Sequence, residues 1–347
     1  MTTVSETQPP TAARLVAGLP LATWRRIGAA AAAALALALP FVASSYHTFQ
    51  FTQVIVYAIA LMGLNLLTGY NGQISLGHGA FYAIGAYVTA ILVSKFDVPY
   101  WATVPVAGAV CLGAGFLFGL PALRLEGLYL ALATFALALV TPQILKFKDF
   151  DSWTGGVQGI LIDKPDAPFK LPLDGDQWLY FFCLAIAVPL FWAARNLVRG
   201  RVGRAIVAIR DHPIAAGTMG VDTAIYKSLT FGVSAFYTGV AGSLGGIVTG
   251  FVAPDSFQIL LSLYLLVGIV VGGLASISGA FFGALFIEFV PTYSDQLTDL
   301  LGDRAKALPW AVFGLLLILF MYLMPTGVMG MLRRLGFWLE RKSSAGS

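Results

Sequence analysis

Charge is scarce in this sequence. Only 11% of its 347 residues are Asp, Glu, Lys or Arg, against 58% hydrophobic, whereas soluble domains carry about 25% charged residues. With a mean hydropathy of +0.81, a soluble fold of this length could not hide its apolar surface from water, so lipid has to be the solvent for most of it. Cysteine is nearly absent: Cys111 and Cys183 lie in apolar runs without metal spacing and read as core thiols. His47 and His212 have no ligand-type neighbours at useful spacing, so no metal or other cofactor is expected. No Lys follows a Gly anywhere, which excludes the Gly-x-x-x-x-Gly-Lys-[Ser/Thr] loop that cradles nucleotide phosphates. Paired carboxylates, a Ser/His/Asp set and a basic face with interleaved aromatics are missing too. These absences argue against an enzyme and against nucleic-acid binding.

Long apolar runs are what the sequence does have. Lipid-spanning chains must pair every backbone polar group internally, which leaves helices or closed strand barrels. Barrel strands alternate in polarity, but these runs are continuous and rich in Ala, Leu, Val and Gly. The expected fold is therefore all-α, a polytopic transmembrane helix bundle. Runs cover about 27–43, 49–68, 74–93, 99–121, 127–145, 177–194, 228–251 and 308–325. The stretch 259–293 would make a helix of roughly 52 Å, too long for a hydrocarbon core of about 30 Å. Ser276, Ser278 and Gly279 interrupt it, so it divides into 259–274 and 279–293. That makes about ten spans.

Loop charge tests this count, because Lys and Arg collect on the cytoplasmic side. With the N-terminus inside (Arg14, Arg25, Arg26), ten crossings place 146–176 outside, where six Asp face four Lys. Segment 195–228 then falls inside with Arg195, Arg199, Arg201, Arg204, Arg210 and Lys227 against Asp211 and Asp222. Loop 294–307 falls outside and is acidic, and the C-terminus, with Arg333, Arg334, Arg341 and Lys342, falls inside. Only Lys95 sits on the wrong side. The expected organisation is a disordered cytoplasmic tail 1–24, a membrane domain 25–330 and a basic cytoplasmic tail 331–347. The first run also fits a cleavable signal peptide, although the long, weakly basic region before it favours a retained helix.

Two segments carry mechanism. In Gly203–Gly220, Asp211 or His212 can cap a helix, Pro213 suits its first turn and Gly220 can end it. A helix of two turns is unstable alone and needs a partner surface, which the small residues Ala215, Ala216 and Gly217 would let approach closely. Charge or bulk at Ala216 is then expected to uncouple transport without loss of folding. The competing reading is a basic inner loop with one helical turn. In Leu67–Tyr82, Asn71, Gln73, Ser75 and His78 interrupt an apolar stretch, with four glycines among them. Polar groups at membrane depth are costly unless they face a bundle interior or a wet path, so a translocation pathway is expected here, lined by Asn65, Gln73, Ser75, His78, Tyr82 and Thr134 with Ser276 and Ser278. The competing reading is ordinary interhelix packing. Glu288 is the lone carboxylate well inside a run. Arg124 and Glu126 bracket an inner turn. Gly79-Ala-Phe-Tyr and Gly279-Ala-Phe-Phe echo each other at the starts of two spans.

Five blocks strongly resemble the branched-chain amino acid ABC transporter permeases of the LivM type: Leu67–Val88, Leu120–Ala133, Trp153–Ile160, Gly203–Gly220 and Val252–Phe257. The resemblance covers roughly 50–325. It implies a second, related permease subunit, two cytoplasmic ATP-binding subunits and an extracytoplasmic solute-binding protein, all at a bacterial inner membrane with its lipid. It also implies that 203–220 is the ATPase-coupling loop, with Arg204, Arg210, Asp211, Pro213, Ile214, Ala215, Ala216, Gly217, Met219 and Gly220 as its residues. The family's motif often carries acids where this chain has Pro213 and Gly217, so carboxylates at those places cannot serve the docking. The expected function is ATP-driven import of a small polar solute. Branched-chain amino acids come first, with urea or short amides as the alternative within the family and a stand-alone secondary carrier as the rival class.

Overall fold

The computed structural model describes residues 15, 16, 19–125, 127–168, 172–301 and 308–334. Its helices are α1 (Leu21–Val42), α2 (Ser45–Leu64), α3 (His78–Phe96), α4 (Tyr100–Ala122), α5 (Leu128–Leu145), α6 (Asp151–Thr154) and α7 (Gly175–Arg199). They continue with α8 (Arg201–Asp211), α9 (Pro213–Thr218), α10 (Thr223–Thr249), α11 (Ile259–Gly272), α12 (Gly279–Leu301) and α13 (Leu308–Leu323). Every apolar run falls on a helix. Eight spans, among the described residues, are long and apolar enough to cross a membrane on those grounds alone. The first run and the 279–293 run are helical as α1 and α12.

Three boundaries differ from expectation. Helix α12 runs on to Leu301, so the acidic loop read at 294–307 is helical as far as it is described; residues 302–307 and Glu126 lie outside the described residues. Polar residues beyond the apolar run do not stop a helix that has reached water, and Thr292 and Ser294 return their hydroxyls to the carbonyls of Glu288 and Val290. Of the tail read as disordered, 1–14, 17 and 18 lie outside the described residues. Strands β1 (Leu15–Val16) and β2 (Leu19–Pro20) pair antiparallel there. Of the C-terminal tail, 331–334 continue a helical segment from 327, and 335–347 lie outside the described residues.

The centre of the bundle is α10, packed on α2, α3 and α4. Without a hydrophobic drive between helices in lipid, close packing needs small residues. Helix α4 offers Gly108, Cys111, Gly115 and Gly119, one per turn, against Gly232 and Gly239 of α10, while Gly242 of α10 meets the Tyr82 backbone of α3. A Cβ at Gly239 would strike the Cys111 sulfur, and one at Gly85 of α3 would strike the Gly239 carbonyl. Both cysteines are fully buried core residues.

Local chemistry sets the ends. Ser44 caps α2 through the His47 amide (3.4 Å). Asp174 and Gln177 form a capping box at α7, and Asp174 also accepts a hydrogen bond from Ser45 (3.2 Å). Helix α1 is fastened to α7 by Tyr180 Oη donating to the Ala36 carbonyl (2.9 Å) and Gln177 Nε2 donating to that of Pro40 (2.9 Å). At the end opposite the basic segment, β3 (Ile160–Leu161) pairs antiparallel with β4 (Phe251–Val252).

Candidate pathway and docking surface

Helix α2 does not end cleanly. It widens at Asn65–Tyr70 into a π-type turn, a feature that loosens the carbonyl ladder and is frequent at functional sites. The chain then runs irregularly from Asn71, through Gly72 at φ +76°, until α3 begins at His78. A second break, 273–278, separates α11 from α12. Asn65 joins the two. Its Nδ2 donates to the Ser276 carbonyl (2.8 Å) and its Oδ1 accepts the Ala275 amide (2.9 Å). Ala275 sits at φ +54°, which only the surroundings can hold in a non-glycine residue. Ser276 Oγ in turn accepts the Gly279 amide that opens α12 (3.3 Å).

The other polar residues of this region are also engaged. His78 is fully buried. Its Nδ1 pairs with Ser75 Oγ (2.8 Å) and its Nε2 with Ser234 Oγ (2.6 Å). Ser234 gives its own proton to the Gly63 carbonyl (2.6 Å), so it accepts from Nε2–H. The network closes with a single ring proton, on Nε2, while Ser75 also accepts the Gly77 amide (3.3 Å). Thr134 accepts the Leu76 amide (2.9 Å) and donates to Ala131 (2.9 Å). Gly79 donates to Ser262 Oγ (2.9 Å). The Tyr82 ring packs on Tyr57 and Phe257, with centroids 6.4 and 6.0 Å away. Its hydroxyl lies over Gly245, where a side chain would collide with it.

Of the eight residues expected to line a path, the fold thus brings Asn65, Ser75, His78, Thr134 and Ser276 into buried hydrogen bonds that brace the breaks. Gln73 lines a cavity of about 170 Å³ at the basic end, and exposed Ser278 lines a separate groove. Sequence reasoning missed Ser234 and Ser262. They lie on helices whose hydroxyls carry no mark until the facing helix is known.

At the basic end, α8 and α9 form an elbow. Pro213 opens α9 and Gly220, at φ +84°, follows its last turn. Neither Asp211 nor His212 caps it through a side chain; Asp211 ends α8, and Asp222 instead caps α10 through the Ala224 and Ile225 amides (3.0 Å each). Helix α8 as a full helix was not foreseen. The small-residue face also needs correcting. Ala216 is buried (5% exposed), whereas Ile214 and Met219 are each 84% exposed. The residue that a two-turn helix must turn inward to hold its place is Ala216, so bulk there would disturb folding first. Arg210 ties the elbow to the bundle. Its guanidinium donates to the Gly69 carbonyl in the wide turn (3.1 Å) and to Asp211 (2.9 Å), while its aliphatic stem lies beside Gly72. Arg204 stands nearby, exposed on α8, and donates to the Arg199 carbonyl (3.4 Å). Asn71, beside them and buried, finds no hydrogen-bond partner for either amide atom among the described residues.

The opposite end is a small platform. Lys146 donates to Asp255 (2.5 Å), and Ile162 donates to the Gly250 carbonyl (2.9 Å). Lys95, the misplaced cation, lies over the Trp153 ring at 5.6 Å, which a cation–π contact accommodates. Glu288 is half-buried on α12, with no hydrogen-bond or ion-pair partner for its carboxylate among the described residues. Among these residues no cluster suits a metal ion.

Sequence blocks far apart thus meet in space. Leu67–Val88, Leu120–Ala133 and Gly203–Gly220 together line the 170 Å³ cavity through Gly72, Leu125 and Arg210. Trp153–Ile160 and Val252–Phe257 meet where Ile160 pairs with Val252. The family described as "Branched-chain amino acid transport system / permease component" matches residues 46–322. The chain belongs to that family. This permease is 32% identical over 323 residues to the high-affinity branched-chain amino acid transport system permease protein LivM of Salmonella typhimurium, covering 86% of this chain and 73% of the relative. LivM of Escherichia coli matches to the same extent. LivH of Escherichia coli is 23% identical over 292 residues, covering 79% of this chain and 91% of the relative. No solved structure gives a significant match. The permease is therefore a multi-pass membrane protein, and its interhelix packing and elbow belong to a transport component.

Proposed function

We propose that this chain is one of two permease subunits in an ATP-driven importer of branched-chain amino acids in a bacterial inner membrane. The membership and the names of the relatives support the solute class. The observation that carries the coupling is the elbow: α9 presents exposed Ile214 and Met219, and Arg210 holds α8 to the wide turn of α2. A two-turn helix showing apolar side chains to water is a docking element. Its partners are two cytoplasmic ATP-binding subunits, since this sequence has no phosphate loop. Displacement of α9 would reach the membrane through α8, Arg210 and the Gly69 carbonyl. From Asn65 it would pass on to the break between α11 and α12. The solute path runs between this chain and a second, related permease, fed at the acidic end by a solute-binding protein.

Uptake of labelled leucine by vesicles carrying the full set of subunits tests this. Ile214→Asp should abolish ATP-dependent uptake and lower ATPase co-purification, while thermal stability of the permease stays at the parental level. Full uptake with normally assembled Ile214→Asp protein would refute the docking role. Uptake of urea or a short amide in place of leucine would keep the class and change the solute.

A further inference from the structure

A groove of about 860 Å³ opens beside α2 and α7, closed on its far side by the start of α12 and the helical segment 327–334. Its wall is apolar, with Ala58, Leu184, Ala187, Phe191, Phe281 and Phe282 along it. Arg195, Arg199 and Arg333 frame one end, and no Asp or Glu lines it. None of these three guanidinium groups has a carboxylate partner among the described residues. Arg195 and Arg199 stand four residues apart on one face of α7, where like charges repel. Arg333 joins them from a different segment. Three cations converging on an apolar trough without a counter-charge call for an amphiphilic anion.

The dimensions agree with that chemistry. From Ile55 on α2 to Tyr70 at the end of the wide turn, and from Leu184 to Arg199 along α7, the lining spans fifteen residues, about 22 Å of helix along α7. One leaflet's share of the hydrocarbon core is about 15 Å. The trough therefore reaches from the bilayer middle to headgroup level, and the arginines stand at the headgroup end. Tyr70 and Ser278 bring hydroxyls to the lining.

We propose that this groove is a binding site for an anionic phospholipid, with an acyl chain in the trough and the phosphate held by Arg195, Arg199 and Arg333. Basic pockets between spanning helices on the positively charged side recognise such headgroups. The site is independent of the transported solute.

The test uses the full-length chain, purified with whatever subunits accompany it and stripped of lipid in neutral detergent. Phosphatidylglycerol should bind and raise thermal stability more than phosphatidylcholine does. The pair Arg199→Gln with Arg333→Gln should weaken phosphatidylglycerol binding roughly 30-fold and leave phosphatidylcholine binding unchanged. Arg201→Gln with Arg204→Gln, the same charge loss outside the groove, should change it little. A photoactivatable phosphatidylglycerol should label α7 or α12 of the unmodified protein, a readout that needs no variant to fold. Equal stabilisation by both lipids, or equal losses in the two variant pairs, would overturn the proposal. So would full protection by inorganic phosphate alone, or crosslinks from α7 to a co-purified permease in place of lipid.

Discussion

A single side chain, Asn65, decides the geometry of two helix breaks. Its amide spends its donor on Ser276 and its acceptor on Ala275, both on buried backbone. Removing it leaves a carbonyl and an amide without partners, at about 1–3 kcal/mol each. Asn65→Leu should therefore lower stability by about 2–6 kcal/mol, read as a fall in the melting temperature in detergent, and Asn65→Gln should not rescue it, because the added methylene displaces both contacts. Ser234→Ala makes a matching prediction, because it strands the Gly63 carbonyl and the His78 ring proton. The expected result is lost stability with an unchanged KM for leucine in whatever protein folds, and a large change in KM at parental stability would instead place this network in the solute path. The sequence marked His78, Asn65 and Ser75 as costly at membrane depth, and that much was legible. Whether their polar atoms meet a solute or a facing helix was not, because Ser234, Gly63 and Ala275 are distant in sequence and carry no signal of their own.

At the scale of elements, the helical bundle was legible because lipid enforces long apolar runs; of the ten spans expected, eight are long and apolar enough to cross among the described residues, and the 259–293 stretch breaks at 273–278 because no bilayer fits it. Helix ends were less legible. The carboxy-terminal part of α12 and the whole of α8 lie in water or at its edge, where hydropathy stops reporting and hydrogen bonds such as Arg210 to Gly69 take over. The short helix α9 was legible in Pro213 and Gly220, but its orientation was not, since six residues are too few for a periodicity. That orientation reverses one mutational expectation. Ala216→Arg should reduce folded yield, because it drives a cation into a site only 5% exposed. Met219→Asp, on the exposed side, should leave yield intact and impair ATPase association. Arg210→Gln belongs to neither class. It keeps both surfaces but cuts the bond from the elbow to the wide turn, so ATPase binding and hydrolysis should persist while uptake falls. Parallel assays of hydrolysis and uptake on one vesicle preparation separate the three outcomes.

The molecule as a whole presents a solid centre and unfinished flanks. Helices α2 and α10 are mostly buried inside the chain, while α5, α7 and α13 leave long apolar faces open. Asn65, Ser75, His78 and Thr134 spend their polar atoms on hydrogen bonds inside the chain, and the 860 Å³ groove has a mostly apolar wall, with the Tyr70 and Ser278 hydroxyls along it and arginines at one end. A zwitterion crossing this chain alone would have to shed water without replacement, at several kcal/mol per unpaired polar group. On the proposed reading, the path is completed by a second subunit, whose own surface supplies the facing wall. The charge economy fits the same conclusion, because proton-driven carriers use relays of buried acids, and Glu288 is the lone carboxylate well inside an apolar run of this sequence. Purified chain reconstituted alone into liposomes should therefore show no leucine flux above that of empty liposomes, with or without ATP or a proton gradient. Adding the related permease should not suffice. Flux should begin only when both ATP-binding subunits are inside and a loaded binding protein is outside, and it should stop when ATP is replaced by a non-hydrolysable analogue. Gradient-driven flux through the lone chain would mean that the buried network around His78 opens after all, and would make this protein a stand-alone carrier.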